Sequence, residues 1–286
     1  MTTKVPVVDV RSVDRIGHDE AMAITAVENQ RFADLLRRLG GGEWTLPTDC
    51  PLWDVKDVVA HIVGSAASQA SPREFARQVI RGRPLRREIG AAYWWDGMNE
   101  VQVRERAELS TDQLIAEWDS RSTRALRART RMPRPIARLP LLALPMPVGR
   151  KPLRYLFDIG FTRDVWAHRI DIAVATGTTF EQDAGHDGRL VADLVAEWAG
   201  THGEPFVLEL AGPAGGTFSS GGGGELVARD EVVVRNPVQE RVSVQSRDAG
   251  AGFGRQTPVS LDVIEFARTV AGRRQGEGLL RHPLPL

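Results

Sequence analysis

Residues 153–177 read LRYLFDIGFTRDVWAHRIDIAVATG. Pro152 precedes the stretch and suits the first turn of a helix, where its missing N–H would have had no partner. Gly177 supplies a stop. One long helix is predicted between them. Within it Asp164, His168 and Asp171 recur at i, i+4 and i+7, so all three lie along one face. A carboxylate and an imidazole four residues apart can aim an oxygen and a nitrogen at one point, which is half of a divalent-metal site. The same spacing also makes an ordinary ion pair on a solvated helix, and spacing alone leaves both readings open. A complete site needs a ligand from a neighbouring helix.

Upstream, residues 44–64 read WTLPTDCPLWDVKDVVAHIVG. Turn-forming residues give way at Asp54 to a helix start, with Asp57 in the first turn where negative charge suits the helix dipole. The helix is predicted to run through Val58, Val59, Ile62 and Val63 and as far as Ile80. His61 is the only other histidine in the middle of a predicted helix. Two histidines and one carboxylate leave coordination positions free, which is catalytic rather than structural coordination. A histidine flanked by valine and isoleucine is equally the signature of a buried imidazole bonded to a carbonyl.

Further helices are predicted over His18–Leu39, with a stripe of Met22, Ile24, Val27, Phe32, Leu35, Leu36 and Leu39, and over Tyr93–Glu108. Another starts at Ser110 or Thr111 and carries Leu114, Ile115, Trp118 and Leu126. Prolines at 133, 135, 140, 145, 147 and 152 forbid a continuous helix between this one and the long one. That apolar, arginine-flanked segment is expected to pack over the bundle or between subunits. After a helix over Asp187–Gly200 the period shortens: PFVLELAG, EVVVRN and RVSVQS read as strands between glycine clusters. A closing helix is expected in SLDVIEFARTVAGR. The fold class is α+β overall. An N-terminal up-and-down four-helix bundle occupies residues 1–180, and a small α+β domain residues 181–286.

Composition sets bounds on function. Apolar residues are 42% and charged residues 26% of the chain, ordinary for a globular core, and the formal net charge is zero. Nothing in that balance draws the chain to nucleic acid or anionic membrane. Cys50 is the only cysteine, which excludes an intrachain disulfide framework and a cysteine-rich metal site and fits a reducing compartment. It sits in a turn before Pro51 with no base evident in sequence, and packing is its simplest role. No signal peptide and no membrane-length apolar run are read, so a cytoplasmic location is expected. The glycine tract at 221–224 reads as a hairpin tip.

The segment WTLPTDCPLWDVKDVVAHIVG, with its Thr-x-Cys-x-x-Trp turn followed by Ala-His, resembles the mycothiol-dependent maleylpyruvate isomerase N-terminal domain family. That family belongs to the wider group of DinB-like metal-binding four-helix bundles. TRDVWAHRIDIAVATG is similar to the family's acidic-x-x-x-His-x-x-Asp helix. The resemblance implies that His61, Asp164 and His168 hold a divalent ion, zinc first. It implies too that Asp171 bonds the outer ring nitrogen of His168, although a solvated acid would look the same in sequence. The family pattern has Glu where this chain has Asp164, one methylene shorter. The closing TVAGRRQG resembles the end of the family's sterol-carrier-like second domain. By that position Arg273 would meet a substrate carboxylate, while the helix dipole alone also explains an arginine there. The partners implied are mycothiol or a similar small thiol and an electrophilic substrate, with a homodimer compatible. A non-catalytic metal-binding or stress-response module and a lipid or small-molecule carrier are the alternatives.

Overall fold

The computed structural model describes residues 6–140, 142–143, 149–221 and 258–284. The chain divides into two compact units. One runs from Ile16 to Glu181; the other combines the residues before Ile16 with those from Gln182 to Leu284. From sequence alone, residues 1–15 are expected to belong to the bundle. Instead Val7–Asp9 (β1) pairs within the sheet of the second unit. A three-residue strand leaves no periodic signal long enough to read.

In the first unit α1 (His18–Arg38), α2 (Val55–Ala70), α3 (Pro72–Glu88), α4 (Trp94–Arg104) and α5 (Thr111–Thr130) follow in order. The chain then passes through a short turn of helix, α6 (Arg134–Ala137), and a two-residue ladder of β2 (Leu142–Ala143) with β3 (Arg150–Lys151). A continuous helical run closes the unit: α7 (Leu153–Tyr155), a π-helical turn at Leu156–Gly160, and α8 (Phe161–Thr176). Gly177 ends it at φ 68°, a left-handed conformation that a Cβ would oppose.

Helices α1, α2, α5 and α8 pack on one another, and α3 and α4 pair beside α2. The core joins Phe32 and Leu36 of α1 to Val58, Val59 and Ile62 of α2, Leu114 and Trp118 of α5, and Val165 and Ile172 of α8. The second helix is shorter than expected. Ser71 caps α3, and Pro72, at its first position, cannot continue α2, so residues to Ile80 belong to a separate helix. Helix α4 likewise stops at Arg104 rather than Glu108. The stripe on α1 differs at one place. Val27 is exposed and Glu28 buried, because Glu28 Oε1 and Oε2 accept from Arg169 Nε and Nη2 at 2.6 and 3.3 Å.

Arg129 of α5 is another buried cation, 2% exposed. It donates to Thr162 Oγ1 at 2.7 Å, Thr25 Oγ1 at 3.0 Å and Gln69 Oε1 at 3.4 Å, all neutral acceptors. Burial pulls its guanidinium down to about 10, partly opposed by the charge of Asp158. The folded state therefore binds this proton less well than the unfolded chain. The cost, about 3 kcal/mol from 1.36 kcal/mol per unit, is present throughout below pH 10 and disappears as pH rises from there toward the ordinary guanidinium range. Arg129→Met is expected to leave stability at pH 7 unchanged or higher, since an apolar isostere needs no desolvation. Its advantage over wild type should shrink between pH 9 and pH 11 in parallel denaturant titrations.

The second unit carries α9 (Asp187–His202) and three further strands, β4 (Phe206–Ala211), β5 (Gly216–Ser220) and β6 (Val259–Asp262), followed by α10 (Val263–Val270). The strand order is β1-β5-β4-β6, with β4–β5 antiparallel and the two outer pairings parallel. Trp198, Phe206 and Phe266 form its aromatic core, with ring centroids 5.1 and 5.7 Å from Trp198. Of the expected helix SLDVIEFARTVAGR, Ser260–Asp262 is strand instead, and Asp262 caps the helix that follows. The expected strands EVVVRN and RVSVQS and Gly222–Gly224 lie outside the described residues. The fold class is α+β. Among the described residues no helix is long and apolar enough to cross a membrane.

Candidate metal centre

Three ligand atoms converge inside the first unit. His61 Nε2 lies 3.4 Å from Asp164 Oδ2, and His168 Nε2 lies 3.5 Å from Asp164 Oδ1. The two imidazole centroids are 5.0 Å apart. The ligand atoms of the three residues all fall within 4.8 Å of one another, a grouping that can hold a metal ion. Ligands about 2.0–2.1 Å from a tetrahedral zinc stand roughly 3.3 Å from each other, so both measured separations suit an ion between the groups.

Local sequence explains the convergence. Asp54 accepts from Asp57 N and caps α2, so His61 falls at the end of the helix's second turn, on a helix buried almost all round. Asp164 and His168 sit one turn apart on α8, which is equally buried. Both histidine side chains are 4% exposed, whereas Asp164 keeps 23%, so solvent reaches the cluster at the carboxylate.

Each histidine is held by its other nitrogen. His168 Nδ1 meets Asp171 Oδ2 at 2.9 Å and His61 Nδ1 meets Gln102 Oε1 at 2.7 Å. Both partner atoms are acceptors, so a neutral ring at either position carries its proton on Nδ1 and turns an Nε2 lone pair toward Asp164. Two lone pairs opposite a carboxylate repel unless a proton or cation lies among them. This is the arrangement of metal-bound histidines, whose outer N–H is typically bonded to a carboxylate or carbonyl.

The sequence reading singled out His61, Asp164, His168 and Asp171, and the fold gathers all four. Arg273 belongs to the second unit, where its Nη1 donates to Ala271 O at 2.9 Å. Two contributors went unread. Gln102 comes from α4 and carries no local signal, being one polar residue on an amphipathic helix. Trp53 lies over His61 at 5.0 Å and near His168 at 6.1 Å. Its turn is tied by Thr48 Oγ1 to Trp53 O at 2.8 Å and by Trp53 N to Cys50 O at 2.9 Å. The Thr-x-Cys-x-x-Trp pattern held that information.

Cys50 Sγ donates to Asp171 Oδ2 at 3.6 Å, and Cys50, His168 and Asp171 form another group of potential ligands. That group would need His168 Nδ1, already committed to Asp171. A groove of about 520 Å³ lies elsewhere on the unit. Its Arg77, Arg106 and Arg121 pair with Glu74, Glu105 and Glu117, making a solvated ion-pair surface.

A buried pair of histidines and one partly open carboxylate on packed helices define a class: helical-bundle proteins with a candidate divalent-metal centre. The family model described as mycothiol maleylpyruvate isomerase N-terminal domain matches residues 25–173, and the chain belongs to that family. All three converging residues lie inside the matched region. Among solved structures, the chain is similar to the mycothiol-dependent maleylpyruvate isomerase, with TM-score 0.52 and 15% identity over 94% of this chain and 93% of that one. A histidine-to-alanine mutant of that isomerase gives TM-score 0.51 and 14% identity over the same shares. These likenesses show the fold across both units. No curated protein matches the sequence.

Proposed function

We propose that this protein is a divalent-metal-dependent enzyme that activates a small thiol, mycothiol or a close relative, for addition to a small electrophile, with isomerisation or sulfur transfer as the outcome. The observation that carries the proposal is the pair of histidine Nε2 atoms facing Asp164 at 3.4 and 3.5 Å. His61, Asp164 and His168 would hold the ion, zinc being the first expectation, and leave positions open. A bound ion would lower the pKa of a coordinated thiol, so that the thiolate is available near neutral pH. Asp171 and Gln102 orient the histidines, and Trp53 shields His61 from water on one side. The family supports mycothiol as the thiol and maleylpyruvate-like compounds as the electrophile. A cytoplasmic setting, where small thiols stay reduced, suits this chemistry. Arg273 enters through the sequence resemblance as the candidate for a substrate carboxylate.

Protein purified without added metal is expected to carry about one divalent ion per chain. Chelation should lower its melting temperature, because binding confined to the native state stabilises it, by roughly 4 kcal/mol when free ion exceeds Kd about 1,000-fold. Elemental analysis of wild type beside a His61→Ala/His168→Ala double variant checks this, and equal metal content in the two would remove the basis of the proposal. Thiol-dependent turnover of maleylpyruvate separates an isomerase from a non-catalytic metal-binding module. Lipid binding without metal would favour a carrier.

A further inference from the structure

The partner of His61 is itself held by a chain of amides. Gln78 Nε2 donates to Gly64 O at 3.1 Å and to Glu74 Oε1 at 2.9 Å. A hydrogen bond from Arg77 pulls the Glu74 carboxyl down to about 2, so both acceptors lack a proton to give. This assigns the NH2 of Gln78 and turns its Oε1 toward Gln102, whose Nε2 donates to it at 2.8 Å. Gln102 Oε1 is thereby left to accept from His61 Nδ1 at 2.7 Å. Gln78 and Gln102 are both 0% exposed, so bulk water does not compete for these groups.

Close helix packing seats the chain. A Cβ on Gly64 would lie 2.5 and 2.6 Å from Cβ and Cγ of Gln102, so only glycine at that position lets α4 approach α2 this near. Gly82 of α3 meets Gly97 of α4 just as closely, with a Cβ on Gly82 falling 2.6 Å from the Gly97 backbone. The glycine three residues after His61 thus accepts from Gln78 through its carbonyl and makes room for Gln102.

We propose that Gln102 and Gln78 are positioning residues that lock His61 in its Nδ1–H tautomer, leaving the Nε2 lone pair for a cation shared with Asp164 and His168. The lock opposes a real competitor. With the proton on Nε2, His61 would donate to Asp164 Oδ2 at 3.4 Å and close the site on itself. The 2.7 Å bond to an acceptor of assigned orientation favours the other tautomer. Only the consequence for a cation rests on the function proposed above; the tautomer is a property of the metal-free protein.

The test is long-range proton–nitrogen NMR on metal-free full-length protein with labelled histidine, at a pH where His61 is neutral, followed by zinc titration. Wild type is expected to show Nδ1–H at His61. Gln102→Met, which keeps the shape and loses the acceptor, should shift His61 toward Nε2–H and weaken zinc binding about 10- to 100-fold. Gln102→Glu should restore Nδ1–H, a protonated carboxyl accepting from His61 through one oxygen and donating to Gln78 Oε1 through the other. If Gln102→Met does not fold, Gln78→Met reads the same relay one step further out, with a partial shift expected. An Nε2–H tautomer in wild type, or one unchanged in both methionine variants, overturns the proposal. A wild-type protein with Nδ1–H that binds no zinc supports the relay and overturns the metal reading instead.

Discussion

Asp164→Asn is expected to abolish stoichiometric zinc binding while leaving the helices intact. Removing a group that merely orients a metal ligand costs about 10–100-fold in affinity, and removing the only charged ligand of three should cost more than about 100-fold. The amide is nearly the same size as the carboxylate, and its NH2 can donate to one of the two Nε2 lone pairs now 3.4 and 3.5 Å away. The fold should therefore lose only the stability that the ion supplied. Asp164→Glu should keep part of the binding, since the related pattern carries the longer side chain at this position. If Asp164 instead makes an ordinary i,i+4 ion pair with His168, worth about 0.3–0.5 kcal/mol, Asn would be mild and metal content unchanged. Competition titration against a chromophoric chelator across the three proteins distinguishes the two, and wild-type affinity in the Asn variant would exclude ligation by Asp164.

Glu28→Ala is expected to destabilise the helical unit by about 3–5 kcal/mol, the cost of breaking a buried ion pair from one side. Arg169 is 4% exposed, donates to Glu28 through Nε and Nη2, and lies 4.1 Å from the centroid of the Phe180 ring. Loss of Glu28 removes the two-pronged carboxylate while the guanidinium stays charged in a dry place. The double variant Glu28→Met/Arg169→Met should recover most of the loss, because two apolar side chains need no desolvation. Urea titrations of the single and double variants measure the difference. A single variant within about 1 kcal/mol of wild type would show that the pair contributes little.

Periodicity determined much of this protein without tertiary information. The 3.6-residue pattern placed α1 and α9 nearly to their ends, the start of α5 and the helical run that stops at Gly177, though not the π-helical turn within that run, because apolar stripes, caps and glycine or proline stops are all local. The i, i+4, i+7 spacing of Asp164, His168 and Asp171 fixed their shared face for the same reason. His61 stood out as the only other histidine in the middle of a predicted helix. Packing decided everything that depends on partners distant in sequence. Gln102 reaches His61 only because Gly64 admits α4, and no property of residues 94–104 by themselves announces it. Glu28 displaced Val27 from the interior because Arg169, 141 residues away, needed a buried carboxylate. Strand β1 joined a sheet some 200 residues downstream through three hydrogen-bonded positions, too few to read as a period. Local order is encoded in neighbours along the chain, and the 3.5 Å between His168 and Asp164 belongs to it, but the 3.4 Å between His61 and Asp164 depends on how closely two buried helices pack.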